Sequence, residues 1–152
     1  MASIFVDILE KVQTDIRALS LPVGVGTLPD AQVYLYKVPW DRYLAKPCVL
    51  ITPVKETITT SSNRQYDVGY GVQITLVHVA NQALTITSED IWEWRETIIA
   101  AFQDQRLEIP GDEDAYICRT EPGTPVDIQS FAGANCDVSG FILRFFVRRS
   151  RS

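Results

Sequence analysis

His78 is the only histidine in the chain, and it shares the sequence with three cysteines, Cys48, Cys118 and Cys136. A single imidazole rules out any two-histidine metal motif and leaves one side chain able to act as a base near neutral pH. Paired with Cys48 or Cys136, it would support thiolate attack on an electrophilic carbon, the imidazole taking the proton. The surrounding residues favour a plainer role. His78 falls on the apolar face of an alternating run, where an imidazole satisfied within a core is the commoner outcome. Three cysteines without C-x-x-C spacing read as reduced thiols, used as small buried hydrophobes in a cytoplasmic compartment.

Other stretches that could carry chemistry are weaker. GVGT at 24–27 has part of a dinucleotide-binding loop, but Pro29 stands where the third glycine belongs and no helix pattern follows. No phosphate-binding G-x-x-x-x-G-K-[ST] and no G-x-S-x-G nucleophile turn occurs. The acids of GDED at 111–114 lack the spacing of a calcium loop and read as a solvated loop. In IWEWRE, Trp94 has core spacing, whereas Trp92 falls at an edge or interface. The closing RFFVRRSRS mixes arginine with aromatics, a pattern able to grip nucleic acid, dock on an acidic neighbour or simply solvate a strand end. No catalytic residue, metal site or cofactor is expected.

These residues sit in a chain of 152, a length suited to one domain able to bury a core without staples. Its 46% hydrophobic and 22% charged residues are ordinary for a soluble protein. Net charge is −5, and Arg144, Arg148, Arg149 and Arg151 lie within the last nine residues; without those four, ten basic residues face nineteen acidic ones. Such a body repels nucleic acid. MASIFVDILEKV reads as an amphipathic helix rather than a secretory signal, and no run approaches the ~18 apolar residues of a membrane span.

The elements follow from periodicity. Ile4, Phe5, Ile8, Leu9, Val12, Ile16 and Leu19 stripe a helix over 3–19, with Ser3 as its N-cap. A Pro- and Gly-rich loop at 20–30 ends it, and a short strand is expected at 32–38. Residues 47–59 read as a strand, TTSSNR as a turn centred on Ser62, and 66–78 as a second strand. That register sets Cys48, Leu50, Thr52, Val54 and Ile58 against Leu76, Ile74, Val72, Tyr70 and Tyr66. Pro53 marks its strand as an edge, or bulged. A second helix starts at Thr87 or Ser88 and buries Ile91, Trp94, Ile98 and Phe102. Strands at 115–121 and 137–149 follow, and the tail frays from about 148 to 152. The expected class is α+β: a mainly antiparallel sheet with a long β-hairpin and two main helices packed on it.

The run Tyr66–His78 is long for this domain, roughly 43 Å at about 3.3 Å per residue against a usual ~17–20 Å. A hairpin that outruns its core needs a cover, and the simplest cover is another chain. Gly69 and Gly71 are expected to bend the strand away from the domain.

The layout resembles the tail terminator (tail completion) proteins of long-tailed bacteriophages. The resemblance rests on SIFVDILEKVQTDIRAL, the hairpin CVLITPVKETITTSSNRQYDVGYGVQITLV, the helix SEDIWEWRETIIAAF and the closing DVSGFILRFFVRR. It implies a structural virion protein and no enzyme: a homo-hexameric ring, assembled in the host cytoplasm, that caps the tail tube at its head-proximal end. Its partners would be the tail tube protein, the head-tail connector or neck proteins, and DNA passing without specific binding; no membrane is involved. In that setting Ser61, Ser62, Asn63, Arg64, Trp92, Arg148, Arg149 and Arg151 would meet neighbouring subunits or the tube, and Asp67, Gln73 and Thr75 would face the channel. The rival stations are another neck or minor tail component, a small enzyme or ligand-binding domain centred on His78, and a nucleic-acid binder using the arginine tail.

Overall fold

The computed structural model describes residues 3–23, 26–37, 44–45, 47–79, 88–112, 114, 116–121, 123 and 136–150, with backbone alone at 78–79, 88–90 and 136–137. The chain is α+β: two helices and a curled, mostly antiparallel sheet of six strands. Helix α1 (Ile4–Ala18) is followed by a 3-10 turn (Asp30–Gln32) and β1 (Val33–Leu35). Then come β2 (Cys48–Thr60), β3 (Gln65–Val79), α2 (Ser88–Phe102), β4 (Arg106–Leu107), β5 (Tyr116–Glu121) and β6 (Cys136–Ser150). The strand order is β1-β2-β3-β6-β5-β4, with only β1–β2 parallel.

Both helices form where the apolar stripe predicts. Ser3 Oγ accepts a hydrogen bond from the Phe5 amide at 3.2 Å, satisfying a donor left over at the start of α1. From α1, Ile8, Leu9, Val12 and Ile16 are buried; from α2, Ile91, Trp94, Ile98 and Phe102. Both sets share one core cluster with Val68, Tyr70, Val72, Ile74 and Leu76 of β3 and with Phe141, Leu143, Phe145 and Val147 of β6. Alternation therefore gives β3 and β6 one core face each. Phe102 and Phe145 meet edge to face, centroids 6.2 Å apart, as do Phe5 and Tyr70 at 5.3 Å.

The β2–β3 register differs from the expected one. Cys48 pairs with Val77, Leu50 with Thr75 and Val54 with Gly71; beyond that the ladder slips, and Thr57 pairs with Gly69 and Ile58 with Val68. Lys55 and Glu56 thus oppose the single residue Tyr70, a β-bulge two residues past Pro53. Alternation misled here because β2 is buried on both sides from Cys48 to Ile51. Val49 and Ile51 join the main core, while Cys48 and Leu50 join a second cluster with Leu44, Val77 and Val138 on the opposite face. Four consecutive apolar residues fit either register.

β3 runs beside β6 over its whole length, from Gln65 opposite Ser150 to Val79 opposite Cys136. Arg148 and Arg149, placed by sequence in a fraying end, pair with Asp67 and Tyr66. The expected strand at 32–38 shrinks to three residues, and its parallel pairing leaves β2 from Thr52 onward with no strand on its outer side among the described residues.

Candidate functional site

Two polar clusters and one open edge stand out. The first is built on Arg144, whose side chain is 9% exposed although it projects from the sheet face opposite the helices. Its Nε and Nη2 donate to the two carboxylate oxygens of Glu121 on β5. Its Nη1 donates to Lys55 O at 2.9 Å and to Gly69 O at 3.3 Å. One guanidinium from β6 therefore ties together β5, β3 and the bulge of β2. Planar, forked donors suit arginine and not lysine to this task.

The glycines of β3 make room for it. A Cβ at Gly71 would lie 2.6 Å from Val54 Cγ2 and 3.0 Å from Arg144 Nη1; at Gly69, 2.5 Å from Thr57 Oγ1 and 2.9 Å from Arg144 Cδ. Gly69 and Gly71 thus clear a trough across the sheet for a charged side chain. Sequence reasoning set Arg144 outward beside Arg148; the overlooked signal was two glycines in alternate positions beside a strand whose polar face carries a lone arginine between Ile142 and Phe146.

The second cluster joins the acidic loop to the arginine tail within the same chain. Tyr116 Oη donates to Asp112 Oδ2 at 2.6 Å and accepts from Arg149 Nη2 at 3.0 Å, while Arg149 Nη1 also pairs with Asp114. The Asp114 amide donates to Asp112 Oδ1 at 2.9 Å, closing the loop on itself. The loop read as solvated acid is instead a clasp on the end of β6. The Tyr116 hydroxyl, and then the Asp114 amide, hold the Asp112 carboxyl below the usual range. A depressed folded-state value stabilises the fold above the unfolded value of about 3.9 and loses that contribution as pH falls through the folded value. Asp112→Asn is accordingly expected to lower Tm at neutral pH, with the gap to the parent protein beginning to close below about pH 4; melting scans across that range check it.

The remaining predicted positions are spread over the surface. Ser61, Ser62, Asn63 and Arg64 form the exposed connection from β2 to β3, in which Ser62 Oγ accepts from the amides of Arg64 and Gln65 at 3.3 and 3.1 Å. Trp92 is 42% exposed on α2. Arg148 lies exposed and forms a two-point pair with Asp67, at 2.9 and 3.2 Å. That hydrogen bond holds the Asp67 carboxyl below its usual range. Gln73 and Thr75 share Asp67's face of β3 but are half-buried. Arg151 lies outside the described residues. Gln65 pairs with Ser150, so the β2–β3 connection adjoins the end of β6 that carries Arg148 and Arg149, whereas Trp92 lies apart from them on α2.

His78 pairs through its backbone with Asp137, and its side chain is outside the described residues, as is that of Cys136. Cys48 sits opposite Val77, and both Cys48 and Cys118 are buried. Burial, with the Asp104 charge adding to it, pushes the Cys118 thiol up to about 12, which leaves it unreactive at neutral pH. Among the described residues no group of three or more His, Cys, Asp or Glu side chains is placed to hold a metal ion, and no helix is long and apolar enough to cross a membrane.

No protein-family model matches the chain, and no curated protein matches it. The geometry must speak for itself, and its most distinctive element is the contrast between the two sides of the sheet. On the β5 side, Cys118 N donates to Gln105 O at 3.1 Å, Asp104 N to Cys118 O at 2.9 Å, and Thr120 N to Gln103 Oε1 at 2.7 Å, so residues 103–105 cap the strand. On the β2 side, Thr57–Thr60 run exposed past the bulge, with Ile58 67% exposed.

Proposed function

We propose that this chain is a structural subunit of a phage tail, a tail terminator that forms a hexameric ring on the tail tube, ends its growth and offers the head-joining surface. The observation that carries the reading is the open outer edge of β2. A β-branched, exposed segment with no strand beside it among the described residues is a ready template for another chain, and stable proteins blunt or cover such edges. Pro53 and the bulge at Lys55–Glu56 blunt the middle of β2, and the outer end from Thr57 to Thr60 is left for a neighbour.

In this reading the long β2–β3 hairpin is the assembly arm, and Arg144 sets its angle by gripping the bulge carbonyl of Lys55. Asp67, Gln73 and Thr75 contribute a face of low net charge, since Arg148 balances Asp67, and such a face lets DNA slide without being held. The role is mechanical, with no catalytic group.

Native mass spectrometry over a wide concentration range tests it. The expected result is a six-subunit species that grows in as concentration rises. Monomer alone at every concentration, both free and with purified tail tubes, would sink the proposal.

A further inference from the structure

The sheet face opposite the helices carries an open groove of about 560 Å³, lined by Asp67, Ile117, Arg119, Phe146 and Arg148. Its two guanidiniums are solvent-facing: the side chains of Arg119 and Arg148 are 64% and 59% exposed, and among the described residues each pairs with one carboxylate, Asp104 at 3.2 Å and Asp67 at 2.9 Å. Between them lie half-buried Phe146 and Ile117, which face each other across β5 and β6. An exposed single-point pair such as Arg119–Asp104 contributes little to stability, which leaves Arg119 open to an incoming carboxylate.

A matching surface lies on α2. Trp92 is the only tryptophan among the exposed large hydrophobic side chains of the described residues, and the carboxylates of Glu93 and Glu96 are exposed beside it, Glu96 one helical turn on. The third charge nearby, Arg95, is turned inward, donating to Gly140 O at 2.8 Å and lying 5.1 Å over the Phe141 ring. The outer side of α2 therefore presents an indole flanked by acids. Tryptophan and arginine are the residues most enriched where protein contacts concentrate their energy.

We infer that Trp92 of one copy seats in the Arg119–Phe146–Arg148 groove of the next, its flanking carboxylates meeting the two guanidiniums. The inference rests on the ring reading and supplies one contact for it. Trp94 and Phe102 of α2 are buried with Phe141 and Phe145, whereas Phe146 and Arg148 project from the other face of β6, so no copy can fill its own groove. The contact is head-to-tail, the type that closes into rings. Duplex DNA is the poorer occupant, because the chain carries −5 overall and a polyanion would meet that whole field.

Two exposed substitutions test it: Trp92→Ala removes the knob and Arg119→Glu poisons the groove, with circular dichroism and urea midpoints confirming that both variants fold. In sedimentation velocity the parent protein is expected to pass beyond dimers as concentration rises. Each variant alone should need a concentration ~30-fold higher to associate, the loss typical of one central anchor. A one-to-one mixture should form a heterodimer and stop there, because only one intact knob and one intact groove remain. Variants that assemble like the parent protein would overturn this contact and leave the ring standing. A parent protein that stays monomeric throughout, both free and with purified tail tubes, would remove both. DNA binding with a steep salt dependence, lost in Arg119→Glu while self-association is unchanged, would reassign the groove to nucleic acid.

Discussion

Arg144→Ala is expected to destabilise the fold by ~3 kcal/mol, because it leaves the Lys55 and Gly69 carbonyls without their donor and opens a void over two glycines. Glu121→Ala should cost ~2 kcal/mol, less than a fully buried partner would, since that side chain is 42% exposed and already partly solvated. The informative quantity is the coupling. Once Arg144 is gone, Glu121 can turn to water and its removal should be nearly free, so the double variant should fall short of the summed single costs by more than about 1 kcal/mol. Urea unfolding of the four proteins gives the cycle, and strict additivity would mean that the guanidinium is held by its carbonyl acceptors alone.

The largest single loss is expected at Trp94. Its side chain is fully buried, and its indole Nε1 donates to Pro22 O at 2.7 Å, tying α2 to the loop that leaves α1. Trp94→Ala should cost ~4–5 kcal/mol, a large share of what holds a domain of this size together. Trp94→Phe separates the two contributions: most of the apolar volume returns, and a residual deficit of about 1–2 kcal/mol reports the carbonyl left without its donor. If phenylalanine proved as damaging as alanine, shape at that site would outweigh burial. Trp92→Ala, two residues earlier but exposed, should by contrast leave the unfolding midpoint almost unmoved.

These two tryptophans show how far one dimension of information reaches. Helical spacing separated the buried Trp94 from the exposed Trp92, and it placed Ile91, Ile98 and Phe102 in the core with it. Period-two alternation likewise placed Phe141, Leu143, Phe145 and Val147 on one face of β6. What alternation could not see was parity. Bulging at Lys55–Glu56 exchanges the two faces of β2 midway, and a strand buried on both sides upstream offers no polar residue to fix the count. The polar clusters were hidden for another reason. Arg144 meets Glu121 and Lys55, and Arg149 meets Asp114, across separations in sequence that no local pattern records. Each arginine looked like surface because arginine usually is. Gly69 and Gly71 were legible as a special place on β3, and the kink first read there became a trough for a buried cation once the neighbouring strand was known.

The position of β6 has a consequence for how the chain is made. Its neighbours in the sheet are β3 and β5, so the last of the described strands in chain order is an interior one. A ribosome releases β3 well before β6, and at about 5–20 residues per second the stretch from Val79 to Ser150 takes roughly 4–14 s to synthesise. Throughout that interval one edge of β3, bearing Val72, Ile74 and Leu76, lacks the strand that will occupy it. The sheet of a nascent chain is thus open along its middle, a non-local closure that folds slowly and is exposed to wrong partners. Crowded polysomes would place several such half-sheets side by side, and the clasp of Arg149 on Asp114 and Tyr116 forms only once β6 has emerged.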